Sequence, residues 1–143
     1  MATIEDFAAR GKIVEVHETH VVFHPTGTNY QLHLESSGST FQVSDRPIEA
    51  IIRVKARKVW TVPSGGNFIA PIFGPPRIIQ GRVKWLDEQM LVVQAGAMIV
   101  AELPLEDQAI DLANGVIGVG TLVNVTAMPG ATIEMKVAVE TRT

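Results

Sequence analysis

Apolar and polar residues alternate with a period of two over much of the chain, the signature of strands with one buried face. Residues 12–17, 20–24 and 30–35 are rich in Val, Ile, Phe, Tyr and Leu in this pattern. Residues 53–62 and 67–72 follow it around Ser64-Gly65-Gly66, and 121–127 and 132–139 follow it around Pro129-Gly130. Gly and Pro mark turns, so each of these pairs is expected to be a hairpin. Three stretches break the alternation. Residues 4–10 suit one helical turn ending at Gly11. Residues 44–52 suit a short helix, capped by Ser44 or Asp45 with Pro47 in the first turn. Residues 105–113 suit a longer helix stopped by Asn114-Gly115.

The pattern recurs. Gly11-Lys12-Ile13 falls on Gly81-Arg82-Val83, Glu18 on Glu88, and Val21-Val22-Phe23 on Leu91-Val92-Val93. One deletion later, Tyr30-Gln31-Leu32-His33-Leu34 resembles Ile99-Val100-Ala101-Glu102-Leu103. Val59-Trp60-Thr61-Val62-Pro63 matches Asn124-Val125-Thr126-Ala127-Met128, with Gly65 and Gly130 just after. Shared order, spacing and apolar pattern are what a duplication leaves behind. The expected fold class is therefore all-β: two tandem OB-like five-stranded small barrels packed together, each with one short helix. The expected division is an N-terminal helical turn at 1–10, a first barrel at 11–74 and a second at 75–143. Closing each sheet removes its edges. Units this small are near the limit for folding alone, so the two should pack together. The short, stiff connector Phe73-Gly74-Pro75-Pro76 agrees with a fixed arrangement.

Composition narrows the classes. Hydrophobic residues make up 46% and charged residues 19%, which is enough for a core and too little charge for a disordered chain. The net charge of −3 gives no long-range pull toward nucleic acid or acidic membranes. There is no cysteine, which excludes disulfides, thiolate metal sites and a cysteine nucleophile. No stretch approaches the roughly 20 apolar residues that cross a bilayer. Glu5 and Asp6 stand where a secretory leader would be basic. The expected location is cytoplasmic, with no membrane partner.

All four histidines lie in the first half. A two-residue turn at Gly27-Thr28 would place Phe23 opposite Leu32, Val22 opposite His33 and Val21 opposite Leu34. Val21, Phe23, Leu32 and Leu34 then share a core face, and His20, His24 and His33 share the other. His33 lies diagonal to each of the other two, roughly 5.5–8 Å away at the side-chain bases. Two imidazoles at that spacing can share a metal. His20 and His24 alone cannot, being roughly 13 Å apart along one strand. The alternative is an ordinary polar hairpin face, and the second half has Met90, Gln94 and Glu102 at the matching places.

Arg53, Lys55 and Arg57 alternate on one strand face, with Lys58 beside them and Trp60 two positions on. Such stripes with an aromatic platform bind single-stranded nucleic acid. Lys and Arg also guard strands against unwanted pairing, and the strand's other face, with Val54, Ala56 and Trp60, reads as core. The segment 63–76 is loop-like. There Asn67, Phe68 and Phe73 either form a partner-binding loop or fill the gap between the barrels. No G-x-S-x-G, H-E-x-x-H, dinucleotide fingerprint or phosphate loop is present, so no enzyme activity is expected and no cofactor is implied.

A duplicated OB-like barrel of this length resembles the tandem molybdate-binding proteins, whose strand pattern Gly81-Arg82-Val83, Ile99-Val100-Ala101 and residues 119–125 follow. The resemblance implies a small-oxyanion binder. The family's Ser-Ala-Arg-Asn type anion-binding segment is absent, however, and Ile79-Gln80-Gly81-Arg82 stands in its place. The expected function is a non-enzymatic binding or assembly module that recognises a protein partner or itself. The alternatives are single-stranded nucleic-acid binding through the basic strand and oxyanion binding.

Overall fold

The computed structural model describes residues 4–103 and 117–136, an all-β arrangement with no α-helix among the described residues. A 3-10 turn at Ile4–Phe7 leads into β1 (Ala9–Val16), β2 (Val21–Pro25) and β3 (Gln31–Ser36). A long β4 (Ile48–Thr61) follows, then the short β5 (Phe68–Ala70) and β6 (Phe73–Gly74). The rest is β7 (Ile78–Leu86), β8 (Met90–Gln94), β9 (Met98–Glu102), β10 (Leu122–Ala127) and β11 (Thr132–Met135). No helix among the described residues is long and apolar enough to cross a membrane.

The strands close two hydrogen-bonded circuits that share β4. In the first, β1 pairs with β2, β2 with β3, β3 with β11 in parallel, β11 with β4, and β4 with β1 again. In the second, β7 pairs with β8, β8 with β9, β9 with β4 in parallel, β4 with β10, and β10 with β7. Thus β4 serves the first circuit near Ile48–Arg53 and the second from Arg53 to Thr61. β10 and β11 lie end to end along β4, one in each circuit.

Local details recur 70 residues apart. A bulge interrupts β1 between Ile13 and Glu15, and another interrupts β7 between Val83 and Trp85. His17 N–H donates to His20 C=O at 2.8 Å, and Asp87 N–H donates to Met90 C=O at 3.0 Å. Gly11 and Gly81 are both required by close approach: a Cβ would run into the carbonyl oxygen of His24 or of Gln94. One apolar cluster runs through both circuits, including Ile13, Phe23, Leu34, Ile52 and Ile133 as well as Ile79, Val83, Val93, Ile99 and Val123.

Several expectations need correction. Residues 44–52 do not form a helix. Ser44 Oγ accepts the Arg46 N–H at 3.0 Å in a local turn, and Ile48 already begins β4. The isoleucines there find sheet partners on both sides, in β1 and β11, which outweighs a weak local helix signal. The N-terminal helical turn ends at Phe7, and Arg10 is already in a strand. The 105–113 helix lies outside the described residues. The two expected hairpins are also replaced. β5 pairs with β7, not with β4, whose edge β10 occupies. β11 pairs with β3 and β4. Strand pairing therefore crosses the expected 74/75 boundary. The counterpart of β10 is the start of β4, since Gly11 faces Ile48 as Gly81 faces Val123. Residues 59–61 are partners of β10 and not its equivalents.

Candidate functional site

The basic strand changes parity half-way. Val54 and Ala56 point into the core as their alternation requires. Then Ala127 faces Ala56 while its neighbour Thr126 faces Lys58, so Arg57 is the extra residue of a bulge. Beyond it Val59 is buried and Trp60 is 42% exposed. Of the two readings of Trp60, surface platform and core, the core one fails for this reason. Lys58 Nζ instead lies 5.9 Å from the centre of the Trp60 ring, within cation–π range. Arg53 is occupied elsewhere, its Nε donating to Glu134 Oε1 at 3.0 Å. Lys55 stands beside Glu102 in the parallel β4–β9 register. Arg57 and Lys58 lie at the bulge beside Trp60.

A third cation joins them. Arg57 and Arg77 line one cleft of about 340 Å³ with Thr126, and no acidic side chain lines it. The Arg77 carbonyl accepts the Ala127 N–H at 2.8 Å, which ties that backbone to β10. Above the cleft, register places Trp60, Asn124, Gln80 and Phe68 in one row across β4, β10, β7 and β5. Asn124 Nδ2 donates to Gln80 Oε1 at 3.0 Å, and Gln80 Nε2 donates to the Gly66 carbonyl at 3.0 Å. Gly65 has φ +140°, and a Cβ there would sit 2.8 Å from Gln80 Nε2, so glycine lets the loop close on the amide.

The loop at 63–76 does not fill a gap with its aromatics. Asn67 is exposed, as are Phe68 at 37% and Phe73 at 60%, while Ile69 is buried. The Tyr30 hydroxyl accepts the Ile69 N–H at 3.1 Å, which holds the loop to the first circuit.

The β2–β3 register is the expected one: Val21 faces Leu34, Val22 faces His33 and Phe23 faces Leu32. The turn lies one step earlier, with Thr28 N–H donating to Pro25 C=O and Gly27 at φ +80°. His20 and His33 stack, with centroids 4.8 Å apart and planes 20° apart. His17 stacks on the other face of His20 at 4.7 Å, and Phe73 meets His33 edge-on at 4.7 Å. His24 leaves the group, its Nε2 lying 2.7 Å from the Thr28 carbonyl. Imidazole lone pairs lie in the ring plane, so those of near-parallel rings do not converge on one ion. Among the described residues no group of three or more metal-ligating side chains is arranged to hold a metal. The Glu15 carboxylate lies 2.6 Å from His17 Nε2. Burial pushes the His33 pKa down, repulsion from His20 and His17 adds to this, and Glu15 opposes it.

Beside this ladder lies a groove of about 410 Å³. His20, His33, Glu35 and Arg77 line it, with Thr19 at one end and the segments 75–77 and 129–131 as walls. Arg77 and Pro129 belong to both clefts, so the two adjoin. No family model matches the chain, and comparison with curated proteins and with solved structures gives no match.

Sequence reasoning placed His20 and His33 together but missed His17 and Arg77. His17 was legible in principle, since a tight turn over Glu18-Thr19 brings it across from His20. Arg77 comes from a distant segment and carries no local signal.

Proposed function

We propose that the protein is a non-enzymatic module that binds single-stranded nucleic acid along the face carrying Arg57, Lys58, Trp60 and Arg77. The observation that supports this most is the bulge at Arg57. It turns Trp60 outward beside Lys58, next to a cleft lined by two arginines and no acid. Base–aromatic stacking tolerates any sequence and contributes about 1–3 kcal/mol per base, and phosphates meet the cations alongside. The two closed circuits support reading the fold as two OB-like barrels from a duplicated unit that exchange their last strands, a type that often takes oligonucleotides.

The test is fluorescence anisotropy with a labelled oligothymidylate. Three phosphate contacts on a single strand give a log–log salt slope of about −2, so affinity should fall about 20-fold between 50 and 200 mM salt. Trp60→Ala should weaken binding about tenfold or more. No binding at 50 mM salt, or none of this salt dependence, rejects the reading.

A second reading is recognition of a protein partner or a second copy through the loop at 63–76. It is favoured by exposed Ile72 (51%) and Phe73 (60%), which lie next to one another. Light scattering on the wild type and on Phe73→Ser tests it: loss of a dimer in the variant supports self-association, and a monomer in both removes it.

A further inference from the structure

We infer that the groove beside the histidine ladder is a second binding site, for a phosphate-type oxyanion, that fills in acid and empties near neutral pH. This goes beyond the nucleic-acid reading, because the site would hold a free oxyanion as well as a phosphodiester. Its charge is set by four side chains. Arg77 and Glu35 line the groove, and neither makes an ion pair among the described residues. With neutral imidazoles their charges cancel. Each imidazole that gains a proton adds a positive charge, and burial with the neighbouring His20 holds that step at His33 below the ordinary imidazole value of about 6.5.

The surroundings sharpen the dependence. From β1 and its turn, Glu15 and His17 face the stack, Glu15 holding His17 at 2.6 Å. From the 73–77 segment, Phe73 covers His33 and Arg77 brings the fixed cation. The 129–131 wall contributes no titratable group. Stacked imidazoles less than 5 Å apart repel once both are protonated. An oxyanion between them and Arg77 removes that repulsion. Proton and anion binding are therefore mutually favourable, and each must strengthen the other by the same factor.

The experiment uses the full chain. Inorganic phosphate, and sulfate, whose charge is constant between pH 5.5 and 7.5, are titrated at both pH values at fixed ionic strength. The imidazole proton resonances report binding. Shifts at His20 and His33 but not at His24 are expected, with the affinity for sulfate, the probe of constant charge, about tenfold higher at pH 5.5. Arg77→Ala should abolish them, with the unchanged His24 resonance showing that the variant is folded. Glu35→Gln should bring binding up at pH 7.5. An oligothymidylate moving the same two resonances assigns the groove to a phosphodiester. If only the free oxyanions move them, the groove stands, and failed anisotropy alone counts against the nucleic-acid reading. Absence of shifts with all three probes at pH 5.5, equal affinity at both pH values, or no effect of Glu35→Gln overturns the inference.

Discussion

The β2–β3 face and the β8–β9 face have the same pairing and opposite chemistry. His33 faces Val22 in one, and Val100 faces Val92 in the other, so by register the counterpart of His33 is Val100 and not the Glu102 expected from the sequence repeat. On the β8–β9 side Val92, Val100 and Ile51 form a fully buried cluster with Trp85, Met90 and Met98 against it. The segment before β1 seals it, with Phe7 6.3 Å from Trp85 between ring centres. On the β2–β3 side the segment before β7 does the covering, and it leaves a groove lined by His20, His33, Glu35 and Arg77. Each face is thus overlaid by the chain entering the other circuit. One face is sealed by apolar packing and the other is left with a groove beside it.

The largest effect should come from making the sealed face like the open one. Val100→His puts an imidazole without a partner into an apolar cluster and should cost about 3 kcal/mol in urea unfolding at pH 7.5. A cost below about 1 kcal/mol would mean that the face is not sealed. Next come the paired glycines. Gly11→Ala and Gly81→Ala each drive a Cβ into a neighbouring strand and should cost about 2 kcal/mol or more, with similar values in the two halves. Unequal costs would break the correspondence of the circuits. The smallest effect is the reverse exchange, His33→Val. The folded state holds His33 below its ordinary pKa, so its stabilising contribution is complete above pH 6.5 and is lost as pH falls toward the lowered value. Unfolding midpoints from pH 7.5 to 5 should fall less in the variant than in the wild type.

Much of the local structure was legible in the sequence and the partners were not. The alternation at 21–34 specified which residues of β2 and β3 face the core, because a one-residue slip would expose Phe23 and Leu34. The register expected from a Gly27-Thr28 turn is the observed one, although the turn lies one step earlier. Gly11 and Gly81 stood at matching places in the repeat, and the structure has the same close approach at both. Alternation does not say which strand a strand will pair with, however. The strands at 53–62 and 121–127 looked like hairpin halves, yet they pair with each other. A bulge leaves no mark in composition, so strict alternation put Trp60 on the core face with Val54 and Ala56, against its other reading as a surface platform. The histidine ladder was half legible, since two of its members share a hairpin, while Arg77 enters its groove from a segment far away in sequence.

The comparison of the two faces depends on β4 being shared by the two circuits. Backbone cross-strand NOEs test it most directly. Contacts of Ser36 with Ile133 and of Ala101 with Val54 are expected, alongside those of Val125 with Val59. NOEs joining 53–62 to 67–72 as a hairpin, or β10 to β11, with none between β3 and β11, would contradict it.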